Sequence, residues 1–192
     1  MALSRGPPLA PLVWVALTGT PGVGKSTLAA ELARRGHACV EAAALARDAG
    51  LLVEEDPRRP GTFLVDEAAA GGGRPPRARP EGVAFVEGHL AHELPVDLVV
   101  LLRLDPRALA LRLAARGWPE AKVRENAEAE ALDVVAGEVV ASGASAAEID
   151  ATGKSVEVLA EETLAIVESH RRGLKSGVVG SVAWPLESLP WF

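Results

Sequence analysis

A short apolar run, Leu12 to Leu17, leads directly into Thr18-Gly19-Thr20-Pro21-Gly22-Val23-Gly24-Lys25-Ser26-Thr27. No other part of the chain restricts its fold as strongly. Gly19, Gly24, Lys25 and Ser26 meet the pattern G-x-x-x-x-G-K-[ST]. Its glycines let the backbone curl so that successive N–H groups point inward. Those groups, with the positive end of a helix starting near Lys25, form a cradle for the phosphates of a purine triphosphate. There Lys25 reaches the β- and γ-phosphates, the Ser26 hydroxyl ligates Mg²⁺, and Gly22, Gly24 and Thr27 complete the nucleotide contact. In a chain with 19 glycines a bare motif is a modest signal. The strand before it and the helix after it supply the confirming context. Without nucleotide, Lys25 is expected to face solvent and to serve phosphate charge alone.

Beyond the loop, a helix is expected over Lys25–Arg35, stopped by Gly36, followed by a strand at Ala38–Glu41 and a helix at 42–49. Thr62–Val65 is ambiguous between strand and extended loop. Gly71–Pro80, with Arg74, Arg77 and Arg79, reads as an exposed loop. Strands follow at Val83–Val86, ending on Glu87, and at Asp97–Leu104. Asp105-Pro106 supplies an N-cap and a first-turn proline for a helix through Ala115. Gly117 breaks it, a second helix is expected from Glu120 to Val140, then an edge strand at Ala147–Asp150 and a helix over Val156–His170. The strands are apolar throughout rather than alternating. That pattern implies an α/β P-loop fold with a parallel five-stranded sheet covered by helices on both faces. Residues 1–172 are read as one domain, behind a proline-containing leader at 1–11, and 173–192 as a C-terminal tail without periodicity.

Charge and missing motifs narrow the function. A net charge of −6 argues against a broad electrostatic grip on nucleic acid. Cys39 has no internal partner for a disulfide. Leu12–Leu17 is too short for a signal-peptide core and runs into the glycine loop, and no stretch suits a membrane helix, so the expected location is cytoplasmic. No N-K-x-D follows the loop and no D-x-x-G ends the third strand, which excludes a Ras-like GTPase. Glu87 is followed by Gly88 and His89 rather than by a second acid, which argues against oligomeric ATPase machines. Small kinases that move a phosphoryl group to a small acceptor remain.

The ordered blocks Leu17–Lys25, Leu45-Ala46-Arg47, Val65-Asp66-Glu67, Glu87–His92, Arg112–Trp118, Lys122–Glu130 and Thr152–Ser155 resemble adenylate kinase isoenzyme 6, especially its archaeal members. The likeness spans about residues 12–172. It implies a nucleoside monophosphate kinase, ATP + AMP ⇌ 2 ADP, using ATP and Mg²⁺ and having an accompanying ATPase activity. It also implies an acceptor-binding lobe at about 42–66 and a small lid at about 116–126. Relatives assist maturation of the small ribosomal subunit and its 16S rRNA together with a small-subunit ribosomal protein. For an acidic chain this predicts weak or indirect RNA contact.

By the same resemblance Arg116 roots the lid over ATP, where a guanidinium suits phosphate oxygens and transferring charge. Arg112, four residues earlier on the same helical face, joins it. The alternative is a solvated charged face paired with Glu120 or Glu125. Glu87 and Ser26 are the expected Mg²⁺ ligands, and His89, two residues beyond Glu87, could orient water or the γ-phosphate. His92 is read as a neighbour. Lys154 matches a residue that flanks adenine in relatives, and Arg47 one that faces the acceptor phosphate. Two alanines precede the Leu45-Ala46-Arg47 block where relatives often carry polar groups, which leaves acceptor choice open. Asp66 and Glu67 either shape the acceptor lobe or are ordinary loop acids. Two rival readings stand beside this one, a P-loop kinase for a metabolite such as a sugar acid or shikimate, and an ATP-switched assembly factor whose turnover is incidental.

Overall fold

The computed structural model describes residues 13–48, 52–55, 63–65, 82–174, 177–185 and 189. The leader at 1–11, the 71–80 arginine loop, Asp66, Glu67 and the Arg47 side chain lie outside them.

Strand β1 (Val13–Thr18) has all six residues buried because it is central and covered on both faces. Its alternate side chains enter two different cores. Val13, Val15 and Leu17 join Leu28, Leu32, Phe85, Leu109, Leu113 and Leu159, whereas Trp14 and Ala16 join Val86, Leu101, Ala136 and Val139. With a side-chain period of two, a strand that is apolar throughout can satisfy both faces only inside a sandwich of helices.

The main sheet also contains β2 (Ala38–Glu41), β5 (Val83–Glu87), β6 (Leu98–Arg103) and β7 (Ala146–Asp150), in the order β2-β5-β1-β6-β7. All four pairings are parallel, as expected from the apolar strand pattern. The helices are α1 (Lys25–Arg34), α2 (Ala42–Asp48), α3 (Pro106–Ala115), α4 (Glu120–Ala131), α5 (Val134–Ser142) and α6 (Val156–Arg171). Asp105 caps α3 as expected, accepting from the N–H groups of Arg107 at 2.8 Å and Ala108 at 3.2 Å, with Pro106 at the first helical position. No helix among the described residues is long and apolar enough to cross a membrane.

Leu52–Glu55 (β3) and Phe63–Val65 (β4) form an antiparallel ribbon apart from the main sheet, so of the two readings left open strand is the one found at Phe63–Val65. One local expectation needs correcting. The single helix expected over 120–140 is two, α4 and α5. Asp133 takes a left-handed φ of 56°, a conformation that aspartate tolerates better than most residues. The break is held in place by Arg103, whose Nη2 donates to the Glu130 carbonyl at 3.1 Å and to the Asp133 carboxylate.

Arg103 ends an otherwise aliphatic strand, yet only 1% of it is exposed. Its Nε donates to Glu130 Oε1 at 2.6 Å and its Nη1 to Glu148 Oε1 at 2.8 Å. Glu148 Oε2 in turn accepts from the backbone N–H groups of Gly180, Ser181 and Val182 at 2.9, 2.9 and 3.2 Å. The tail at 177–185 is thereby fastened to β7. One guanidinium thus serves the end of α4, the turn before α5, β7 and, through Glu148, the tail. Removing one partner of a buried ion pair leaves the others as uncompensated charges, which costs about 3–5 kcal/mol. Arg103→Leu is expected to lower stability by that amount, seen as a lower urea midpoint with an unchanged slope.

Candidate active site

The Gly19–Lys25 turn lies at the carboxyl end of the central strand, where parallel sheets place their ligands. Gly19 has φ 136°, and a Cβ there would sit 2.3 Å from the Leu102 carbonyl oxygen. Gly22 has φ 99°, and its Cβ would strike Leu113 at 2.6 Å and Leu109 at 2.8 Å. Both positions are closed to any side chain, by backbone strain and by contact. The loop therefore lies pressed between β6 and α3, with the first turn of α1 aimed across its mouth.

Lys25 departs from its expected solvent-facing position. It is 8% exposed, and its Nζ donates to the carbonyl oxygens of Gly19 at 2.6 Å and Thr20 at 3.1 Å. Burial draws its pKa down from 10.5 to about 8, against the pull of Glu87 and Glu130, which favour the charged form. The ammonium docks on the carbonyls of its own loop.

Ser26 and Thr27 are exposed in the first turn of α1. Parallel pairing sets Glu87, the last residue of β5, beside Leu17, and the Ser26 hydroxyl donates to Glu87 Oε2 at 3.0 Å. These two expected metal ligands converge. They offer hard oxygen donors of the kind Mg²⁺ takes, so the residues present fit that ion. His89 is exposed in the turn after β5. Its backbone carbonyl accepts from the Thr18 hydroxyl at 2.9 Å, which leaves that hydroxyl oxygen to accept from His92 Nδ1, also 2.9 Å away. His92 is 4% exposed, and desolvation lowers its pKa. It braces the turn from below, in keeping with its reading as a neighbour.

On the other side of the loop, Val23, Gly24, Thr27, Arg112, Arg116 and Lys154 line a cleft of roughly 310 Å³, floored by Ala151, Val156 and Leu159. The two arginines and the lysine expected around the nucleotide thus share one cleft with the phosphate loop. Arg112 also has a task of its own there. Its Nη1 donates to the carbonyl oxygens of Gly22 at 3.2 Å and Val23 at 2.9 Å, and both burial and the charge of Arg116 lower its pKa. Arg116 stands exposed at the end of α3, and Lys154 Nζ is tied to Glu162 at 2.8 Å.

Sequence reading passed over two residues that the structure brings to this site. Thr20 occupies a free position of the loop motif, and its hydroxyl donates to the buried carboxylate of Glu130. The available signal for Glu130 was Arg103. An arginine ending an apolar strand must find carboxylates, and Glu130 is one of the three it finds, with Asp133 and Glu148.

Carrying a charged lysine into this environment disfavours folding. A depression from 10.5 to about 8 corresponds to at most about 3–4 kcal/mol, at roughly 1.4 kcal/mol per unit. Lys25→Met is therefore expected to abolish turnover yet raise the melting temperature of the nucleotide-free protein at neutral pH. Between about pH 8 and 10.5 the unfolded chain still holds the Lys25 proton that the folded one has released, so the parent's stability rises with pH there. Calorimetric scans of parent and variant should show their gap narrowing across that window.

Comparison with known proteins places the chain in a family. A family described as "AAA domain" matches residues 15–133, which include the phosphate loop, Glu87 and Arg116. A protein of Archaeoglobus fulgidus named "Putative adenylate kinase" is 36% identical over 170 residues, 88% of this chain and 90% of its own length. Proteins of the same name from Methanothermobacter thermautotrophicus and Natronomonas pharaonis are each 41% identical, covering 82% of this chain and 91% of theirs. Among solved structures, a gluconokinase from Sinorhizobium meliloti superposes with a TM-score of 0.52 at 20% identity, covering 86% of this chain and 96% of its own. A shikimate kinase from Acinetobacter baumannii gives 0.52 at 18%, covering 84% and 96%. The two structures share the fold.

Proposed function

The chain belongs to the family of these archaeal adenylate kinases and to the P-loop AAA-domain family, and from that premise we propose that it transfers the γ-phosphoryl group of Mg-ATP to AMP or another nucleoside monophosphate. The observation that carries this reading is the shared cleft. Arg112, Arg116 and Lys154 line one cleft with Val23 and Gly24 of the loop, and the buried Lys25 sits on the carbonyls of the same loop.

Catalysis of this kind is positioning and charge neutralisation, with no covalent intermediate. Entry of the β- and γ-phosphates offers Lys25 Nζ stronger partners than the two carbonyls it now holds, so the ammonium turns outward to them. Arg112 keeps the loop backbone in place from α3. Arg116, on the exposed rim, swings over the transferring group and stabilises its charge. Ser26 and Glu87 would hold Mg²⁺, which when bound offsets phosphate charge. His89 orients the γ-phosphate or a water from the turn beyond β5, and the same arrangement supports ATPase activity when water is the acceptor. Lys154 and the apolar floor of the cleft flank the adenine, and Arg47 faces the acceptor phosphate.

The rival metabolite-kinase reading draws on the fold shared with the gluconokinase and the shikimate kinase. An acceptor panel separates the two, with AMP and other monophosphates expected to turn over and gluconate and shikimate not. In the same assay Arg116→Ala is expected to lower kcat by roughly 10³–10⁵-fold while ATP affinity changes far less. Transfer to a sugar acid in preference to every monophosphate would overturn the reading.

A role in small-subunit maturation is the further part of this proposal, with the ATP-switched assembly factor as its limiting form. What supports it is the likeness to isoenzyme 6 and a net charge of −6, which steers the chain toward a basic ribosomal protein rather than toward RNA. Titration with a small-subunit ribosomal protein, with and without ATP, is expected to show nucleotide-dependent, salt-sensitive binding, and titration with bare RNA weak binding. Tight, salt-resistant RNA binding without a protein partner would refute it.

A further inference from the structure

Thr20 is 1% exposed and works in two directions. Its carbonyl points into the loop, accepting from Lys25 Nζ at 3.1 Å and from the Val23 N–H at 3.3 Å. Its hydroxyl points out of the loop and donates to Glu130 Oε2 on α4. Glu130 cannot drift, because its other oxygen accepts from Arg103 Nε at 2.6 Å and from the Leu104 N–H at 3.2 Å, and only 2% of the residue is exposed. The contact serves both ends, since the Thr20 hydroxyl is the donor for Glu130 Oε2 and either group buried without a partner would be costly. For the loop it adds an anchor outside its own backbone.

A second tether meets the loop from another helix, where Arg112 on α3 holds the Gly22 and Val23 carbonyls. The helices α3 and α4 enclose the turn from Arg116 to Pro119, at the base of the proposed lid. Each helix flanking the lid therefore grips a different part of the phosphate loop.

We propose that Glu130 is a positioning residue for ATP binding, which through the Thr20 hydroxyl fixes the Gly19–Val23 turn to the lid helix and so aligns its N–H groups for the phosphates before nucleotide arrives. This rests on the nucleotide-kinase reading of the site. Glu130 touches no phosphate itself. Its effect falls on the preorganisation of the loop and is therefore read in affinity and KM for ATP rather than in kcat.

The test compares Thr20→Val, Thr20→Ser and Glu130→Gln with the parent, by calorimetric titration with Mg²⁺ and a non-hydrolysable ATP analogue and by steady-state kinetics. Thr20→Val retains the volume and the whole Arg103 cluster, so it keeps the test decisive even where Glu130→Gln disturbs folding. It is expected to melt cooperatively, to bind the analogue about tenfold more weakly, and to raise KM for ATP in step, with kcat within a few-fold of the parent. Thr20→Ser, which restores the hydroxyl, is expected to recover most of that affinity, and Glu130→Gln added to Thr20→Val to weaken binding little further. Parent-like affinity in folded Thr20→Val, or a serine variant no better than the valine one, would overturn the assignment. The titration does not depend on any acceptor, so failure of AMP as substrate would count against the proposed reaction and leave this result readable.

Discussion

A single buried guanidinium organises the right half of the sheet. Arg103 leaves β6 at the level of the phosphate loop and meets carboxylates from α4, from the turn before α5 and from β7. Desolvating that many charges is tolerable only when nearly every polar atom is matched, and here the Thr20 hydroxyl takes the second oxygen of Glu130 and the tail N–H groups take that of Glu148. The arrangement explains the helix break at Asp133, the anchoring of the tail and the fixed position of Glu130. The phosphate loop depends on it at one remove, because the carboxylate that receives Thr20 is held in place by Arg103.

Against this rigid support, Lys25 is the strained element. Its ammonium is buried on two carbonyls of its own loop, where desolvation outweighs the field of two nearby carboxylates. Holding a charge there lowers folding stability in a way that a neutral side chain of the same reach would not.

The architecture was legible because it rests on local signals. Strands apolar at every position imply burial on both faces, and the Gly19–Ser26 spacing joined to a strand and a helix admits few backbones. The convergence of Ser26 with Glu87 followed from the same logic, since both sit at carboxyl ends of the parallel array. What escaped reading was long-range. Thr20 to Glu130 spans 110 positions, and nothing in the Glu120–Val140 pattern marks one glutamate among several as the buried one. The break at Asp133 was hidden likewise, because its cause lies on β6. Lys25 was misplaced because a lysine's reach was read without the carbonyls that would receive it.

The buried Glu148 has a consequence for how the molecule ends. The strand that carries it, β7, lies at the margin of the sheet, where exposed amides invite another chain to add on. The protein's own residues 180–182 are fastened beside that strand, with their amides converging on the Glu148 carboxylate. Were that segment to peel away, Glu148 would keep Arg103 on one oxygen and lose the donors of the other. An apolar strand from a neighbour would then have to desolvate a half-matched charge beside the edge it sought to extend.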